Sequence, residues 1–230
     1  MADSLKSEET AASIKSRNDD FFSFEMIEGR FSCLFSCPHC KETVAVAGTY
    51  WVQDDRIYDQ EYGEAGEILE YYRPRYFSEA PPLIQLPDKT PDTVREEITK
   101  AFQLFWLDEE ACGNRIRSAV EQLLTINGIP KTELVKKGAS QKRNLLSLHR
   151  RIERFKKKRP ELAEQLFAIK WIGNAGSHAS GLNIEDLKDG FLLLELVLKE
   201  LYDSSRRNAL RIAKAVNKRK KPRSAYKSRK

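Results

Sequence analysis

Five stretches between residues 91 and 203 place apolar side chains at helical spacing, and this constrains the fold more than any other feature of the 230-residue chain. In the first, Val94, Ile98, Ala101, Phe102 and Phe105 form one stripe, with Thr90 as cap and Pro91 at the first helical position. The second begins near Asp108, puts Ile116, Val120, Leu123 and Leu124 on one face and ends at Asn127-Gly128. The third is expected from about Lys142, carrying Leu145, Leu148, Ile152 and Phe155. Pro160 opens the fourth, with Leu162, Leu166, Ile169 and Ile172. Asn183, with Asp186 after it, caps a fifth that buries Leu187, Phe191, Leu194, Leu198 and Leu201. Amphipathic helices joined by short turns pack as a helical bundle.

The region before the bundle reads differently. Phe22, Phe24 and Met26 alternate with polar residues, as do Phe31, Cys33 and Phe35, and residues 43–52 favour β structure. These imply a small antiparallel sheet with a tight turn at Cys37-Pro38-His39-Cys40. Residues 53–90 read as a long irregular connection. Within it Tyr71 to Phe77 mixes aromatics and arginines, which suits either a stacking surface for bases or packing onto the neighbouring domain. The expected class is therefore α+β, mainly α. The expected organisation is a disordered leader (1–20), a small β module (21–71), a helical domain (72–203) and a basic tail (204–230).

Charge separates the tail from the rest. Residues 206–230 hold twelve Lys and Arg and no Asp or Glu, so the remainder carries 28 basic against 34 acidic residues, although the whole chain is +6. A basic arm on an acidic body seeks an anion, with nucleic acid the commonest candidate; the other reading is a solvated tail or a continued helix. Lys218, Arg219, Lys220, Lys221 and Arg223 are the expected nucleic-acid contacts. The polar leader has no apolar signal segment and no apolar run reaches membrane-spanning length, so a cytoplasmic protein with no membrane partner is expected.

Three of the four cysteines, Cys33, Cys37 and Cys40, cluster. A Cys-x-x-Cys turn holds two thiolates at the separation tetrahedral zinc requires, and Cys33 is the candidate third ligand. The alternative is a degenerate knuckle without metal. No βαβ pattern surrounds the turn, which argues against redox chemistry. Cys112 reads as a small core residue.

Lys170-Trp171-Ile172-Gly173-Asn174-Ala175-Gly176-Ser177-His178 runs a helix end into glycines, with Asn, Ser and His following. His178 can act as acid or base near neutral pH, or serve as a structural hydrogen-bonding group.

The helix Arg115 to Leu124, the segment Leu148-His149-Arg150-Arg151-Ile152 and the segment Lys170 to His178 together resemble the domain-of-unknown-function family 4145, over roughly residues 72–203. The Cys-Pro-His-Cys turn resembles the zinc-ribbon-like knuckle that often precedes that domain. The family is similar to the HEPN superfamily, which implies a helical bundle that commonly forms a homodimer, with Trp106 and Trp171 as exposed aromatics that permit pairing. HEPN ribonucleases use an Arg, usually followed by a polar residue, and then a His a few residues on. Asn174 and His178 match the polar residue and the His as catalytic candidates, whereas Gly173 stands where the Arg is expected. Arg115, Arg117 and Lys170 are the cations able to replace it in space.

The resemblance also implies an association with restriction or phage-defence systems and a protein partner from one. The expected function is a HEPN-like interaction module associated with nucleic acid, with structural zinc as the candidate cofactor. The competing expectation is a ribonuclease toxin using His178.

Overall fold

Alternation of apolar and polar residues builds the first unit. The computed structural model describes residues 4–38, 41–59, 63–137, 140–175, 181–203 and 205–220. Strands β1 (Lys6–Glu9), β2 (Glu28–Ser36), β3 (Thr43–Asp54) and β6 (Ile68–Phe77) form an antiparallel sheet in the order β1-β2-β3-β6. Short strands β4 (Ile57–Asp59) and β5 (Gly63–Ala65) pair as a separate ribbon. One face of the sheet is a small core of Ile27, Phe31, Cys33, Val46, Tyr50 and Val52, with Tyr72 and Phe77 packed against it. β6 is an edge strand, which is where Pro74, lacking an N–H, can sit. The register slips beside it, between Ala47 and Gly48, and a side chain on Gly48 would collide with the Arg73 carbonyl at 2.2 Å.

Residues expected to be a disordered leader are built into this sheet. β1 pairs with Gly29 to Ser32, and helix α1 (Ala11–Ser16) follows it, capped by the Thr10 hydroxyl accepting from Ser13 N. Ser13 is buried, donates to Glu9 and accepts from Glu28 N. Two further expectations are corrected. Phe24–Met26 forms a 3-10 turn rather than a strand, and residues 68–77, placed in a connection, form the outer strand, so the module runs to Phe77 and not to residue 71.

The bundle follows from its apolar stripes. Helices α2 (Asp92–Phe105), α3 (Glu109–Ile126), α4 (Leu148–Lys156), α5 (Pro160–Ala175) and α6 (Ile184–Tyr202) share one core, in which Ile98, Ile116, Leu123, Ile152, Phe155, Leu166, Leu187 and Leu194 are fully buried. Asp108 caps α3, Gly128 ends it with φ +77°, and Asn183 with Asp186 forms a capping box on α6. The cap of α2 is Pro91, without a side-chain bond, and not Thr90. The third helix is shorter than its pattern suggested. Residues 140–145 belong to a polar hairpin, β7 (Thr132–Lys137) with β8 (Ser140–Leu145), and Leu145 is 81% exposed.

Arg151 fastens α4 to the end of α3. Its side chain is buried and Nη2 donates to Glu121 O, Thr125 Oγ1 and Ile129 O at 3.0, 2.7 and 3.2 Å. The sheet meets the bundle through Phe77 against Trp106, with ring centroids 5.1 Å apart, and Arg73 facing Glu109 at 3.9 Å. Trp106 is therefore half-buried at a junction rather than exposed. Beyond Tyr202 the chain turns at Asp203 into a separate helix, α7 (Ser205–Arg219). Among the described residues no helix is long and apolar enough to cross a membrane.

Candidate functional site

Helices α3 and α5 cross where each carries a glycine. Gly113 and Gly173 face one another, and a Cβ on Gly173 would lie 2.8 Å from Arg117 Cβ and 3.1 Å from Gly113 O. No side chain fits at 173, so the Arg that the HEPN resemblance expects there is sterically excluded. The close crossing brings Arg117 over the last turn of α5 instead. Its Nη1 donates to Asn174 Oδ1 at 2.5 Å and its Nε to Glu121 Oε1 at 3.3 Å. Of the three cations named from sequence, Arg115 is engaged with Glu97 at 3.1 Å and Arg117 reaches Asn174. Lys170 lies one turn before Asn174 on α5, buried, with Nζ 3.2 Å from the Trp171 ring centroid. Burial and, after it, the charge of Arg117 hold the Lys170 ammonium below the usual lysine range. Trp171 itself is 61% exposed. His178 lies outside the described residues.

The metal candidates separate by environment. Cys33 points into the sheet core and burial pushes its thiol up. Cys37 follows the end of β2, where its N–H donates to Glu42 O and its carbonyl accepts from Lys41 N, closing the turn. Cys40 and His39 lie outside the described residues. Cys37 and Cys40 have the spacing of a zinc pair, and Cys33 lies buried in the sheet core. Among the described residues no group of three or more His, Cys, Asp or Glu could hold a metal.

Of the tail candidates, Lys218 and Arg219 lie on α7, whose described side chains are exposed. Arg211, Lys214 and Lys218 recur at helical spacing on one face, with Ala209, Ile212 and Val216 opposite. Arg219 and Lys220 close the helix, Lys220 with φ +55°, and Lys221 and Arg223 lie outside the described residues. The aromatic and basic segment 71–77 packs as part of the sheet. Tyr71 stacks on Trp51 at 5.7 Å, and Tyr72 sits edge-on to Phe31 at 5.1 Å.

Sequence reasoning missed the Gly113–Gly173 crossing and the burial of Lys170. A small residue on each of two helices was the available signal, but nothing in one helix names the other.

Comparison with known families divides the chain where the structure does. A family described as domain of unknown function (DUF8608) matches residues 1–77, the extent of the sheet unit with its first twenty residues included. No curated protein and no solved structure matches. A second family, domain of unknown function (DUF4145), matches residues 99–220, more than half of the chain and all of α3 to α7, and the chain belongs to that family.

Proposed function

We propose that this protein is a HEPN-like interaction module associated with nucleic acid, working as a homodimer beside a restriction or phage-defence partner. The observation that carries the reading is α7, an exposed helix with Arg211, Lys214 and Lys218 on one face, in a segment with no acidic residue from 206 to 230. Such a helix neutralises phosphates without reading bases. The body carries a net negative charge and repels the same polymer, so attraction falls to the tail. In this reading Cys37 and Cys40 serve a structural zinc in the sheet unit. Deleting residues 206–230 abolishes binding to duplex DNA or RNA, while His178→Ala leaves it intact. Equal affinity in the truncated chain would place the contact on the body.

A second reading has one observation in its favour. Arg117 supplies a cation at Asn174, where the HEPN resemblance calls for one beside its polar residue. A ribonuclease built this way uses Arg117 to stabilise charge on the phosphate and His178 to exchange a proton. Cleavage of a single-stranded RNA that His178→Ala and Arg117→Gln both abolish would select it over the binding module.

A further inference from the structure

The charge of the body is itself divided. Residues 131–159 hold twelve Lys and Arg against two acids, Glu133 and Glu153, whereas the rest of residues 1–205 holds 16 basic against 32 acidic residues. The basic stretch is the β7–β8 hairpin together with α4. Glu133 is engaged by two of its cations, Arg150 at 3.2 Å and Arg154. Lys142, Arg143, Lys156, Lys157 and Lys158 are exposed, and among the described residues none of them has an ion-pair partner.

The hairpin has two faces, because side chains alternate along a strand and directly paired residues share a side. Glu133 turns toward α4. Its neighbours Thr132 and Leu134, with their partners Leu145 and Arg143, therefore lie on the opposite face. There Leu134 is 62% and Leu145 81% exposed, with Arg143 exposed beside them. A two-stranded ribbon has no core of its own in which to bury such leucines. Adjacent exposed leucines next to an unpaired arginine have the make-up of half a protein interface, apolar at the centre and charged at the rim.

We propose that this outer face of the β7–β8 hairpin docks an acidic protein surface that carries apolar side chains. Leu134 and Leu145 pack against the partner's apolar groups and Arg143 meets its carboxylates. The cations of β8 and α4 draw the acidic surface in. A nucleic acid fits the face less well. Phosphates give two leucines nothing to pack against, and a long polyanion running past the hairpin meets the acidic remainder of the body. The face rests on the interaction-module reading for its protein partner and does not depend on α7 contacting nucleic acid.

Fluorescence anisotropy with the full-length protein tests this, using three labelled peptides of equal length and a labelled DNA duplex at constant ionic strength. One peptide is built of Glu and Leu, one of Glu and Ser, and one of Lys and Leu. The Glu–Leu peptide binds saturably, the Glu–Ser peptide binds about tenfold more weakly or worse, and the Lys–Leu peptide does not bind. Leu134→Ser/Leu145→Ser and Arg143→Glu each weaken the Glu–Leu peptide about tenfold or more, and leave duplex binding unchanged. Arg211→Gln/Lys214→Gln/Lys218→Gln does the reverse, weakening the duplex and sparing the peptide. If the duplex fails to bind while the peptide binds as described, the α7 reading falls and the hairpin site stands. Unchanged urea midpoints certify that the variants fold. The proposal is overturned if the Glu–Leu peptide does not bind, or if the Glu–Ser peptide binds as tightly. It is equally overturned if the folded hairpin variants bind the Glu–Leu peptide as the parent does, or if they lose the duplex instead, which makes nucleic acid the occupant.

Discussion

Arg117 on α3 donates from Nη1 to the side-chain oxygen of Asn174 on α5, joining residues 57 apart in sequence at 2.5 Å. The bond depends on a third residue, because only a glycine at 173 lets the two helices come this close. The crossing thus brings a cation from a neighbouring helix onto the turn that carries Asn174.

The two crossing glycines differ in what substitution does. A methyl group at 173 meets Arg117 Cβ and the Gly113 carbonyl, neither of which can move without its helix. Gly173→Ala is therefore expected to destabilise by about 1–3 kcal/mol in urea titration despite the better helix propensity of alanine. A methyl group at 113 crowds the terminal Leu182 Cδ2, at 2.7 Å, which can rotate aside, and meets Gly173 Cα and Ile172 O at an ordinary 3.8 Å. Gly113→Ala is expected to fall within about 1 kcal/mol of the parent, since gained propensity offsets a minor shift. Equal costs at both sites would mean the crossing is looser than described.

Arg151 offers a test of the bundle alone. Arg151→Ala strands Ile129 O at the joint of α3 and α4, whereas Glu121 O keeps the bond from Thr125 Oγ1, with a predicted cost of about 1–3 kcal/mol in chemical denaturation. A loss below about 0.5 kcal/mol, the level of an ordinary surface change, would show that water reaches that carbonyl.

The buried thiols give a reactivity and a pH prediction. Cys112 lies under α2 with Sγ donating to Ala101 O at 3.3 Å, and burial, then Glu109 and Asp108, push its thiol up to about 12. At pH 8 only about one molecule in ten thousand carries that thiolate, so Cys112 resists alkylation until the chain unfolds. Because the folded value lies above the ordinary 9.0, the stability this group contributes is complete below about pH 9 and is lost as pH rises toward 12. Cys112→Ala should show a shallower fall in stability over that range, read by thermal melts at successive pH values. Rapid labelling of native Cys112 would contradict its placement.

How much of this was legible in the sequence follows from which interactions are local. Val94 to Phe105 and Leu187 to Leu198 declare their helices by spacing, and Asn183 with Asp186 declares a start, because each signal lies within a turn or two of chain. β1 was not legible: Lys-Ser-Glu-Glu has no apolar alternation, and its order comes from pairing with β2 and from the Ser13 bonds. The hairpin of β7 and β8 was hidden for the same reason, since it packs few apolar residues and lent Leu145 to a false helical stripe. At the site, Asn174 was singled out by resemblance. Arg117 could be named only as one of three cations, because choosing among them requires the angle and distance at which α3 crosses α5.

The proposed homodimer has candidate apolar surface in Trp171, Leu192 and Leu196, all exposed on α5 and α6. Light scattering at micromolar concentration is expected to give twice the chain mass, and Leu192→Glu/Leu196→Glu to return the chain to a monomer. A monomeric parent would remove the dimer from the account.

Association with nucleic acid through α7 is the central claim, and the salt dependence of binding tests it most directly. The full-length protein and the Arg211→Gln/Lys214→Gln/Lys218→Gln variant are titrated onto one labelled duplex between about 50 and 200 mM salt. The parent's affinity should fall steeply, with a log–log slope of about −0.9 for each phosphate contacted, and the variant should bind more weakly with a slope shallower by roughly 2 to 3. Equal affinities and equal slopes for the two proteins would contradict the claim.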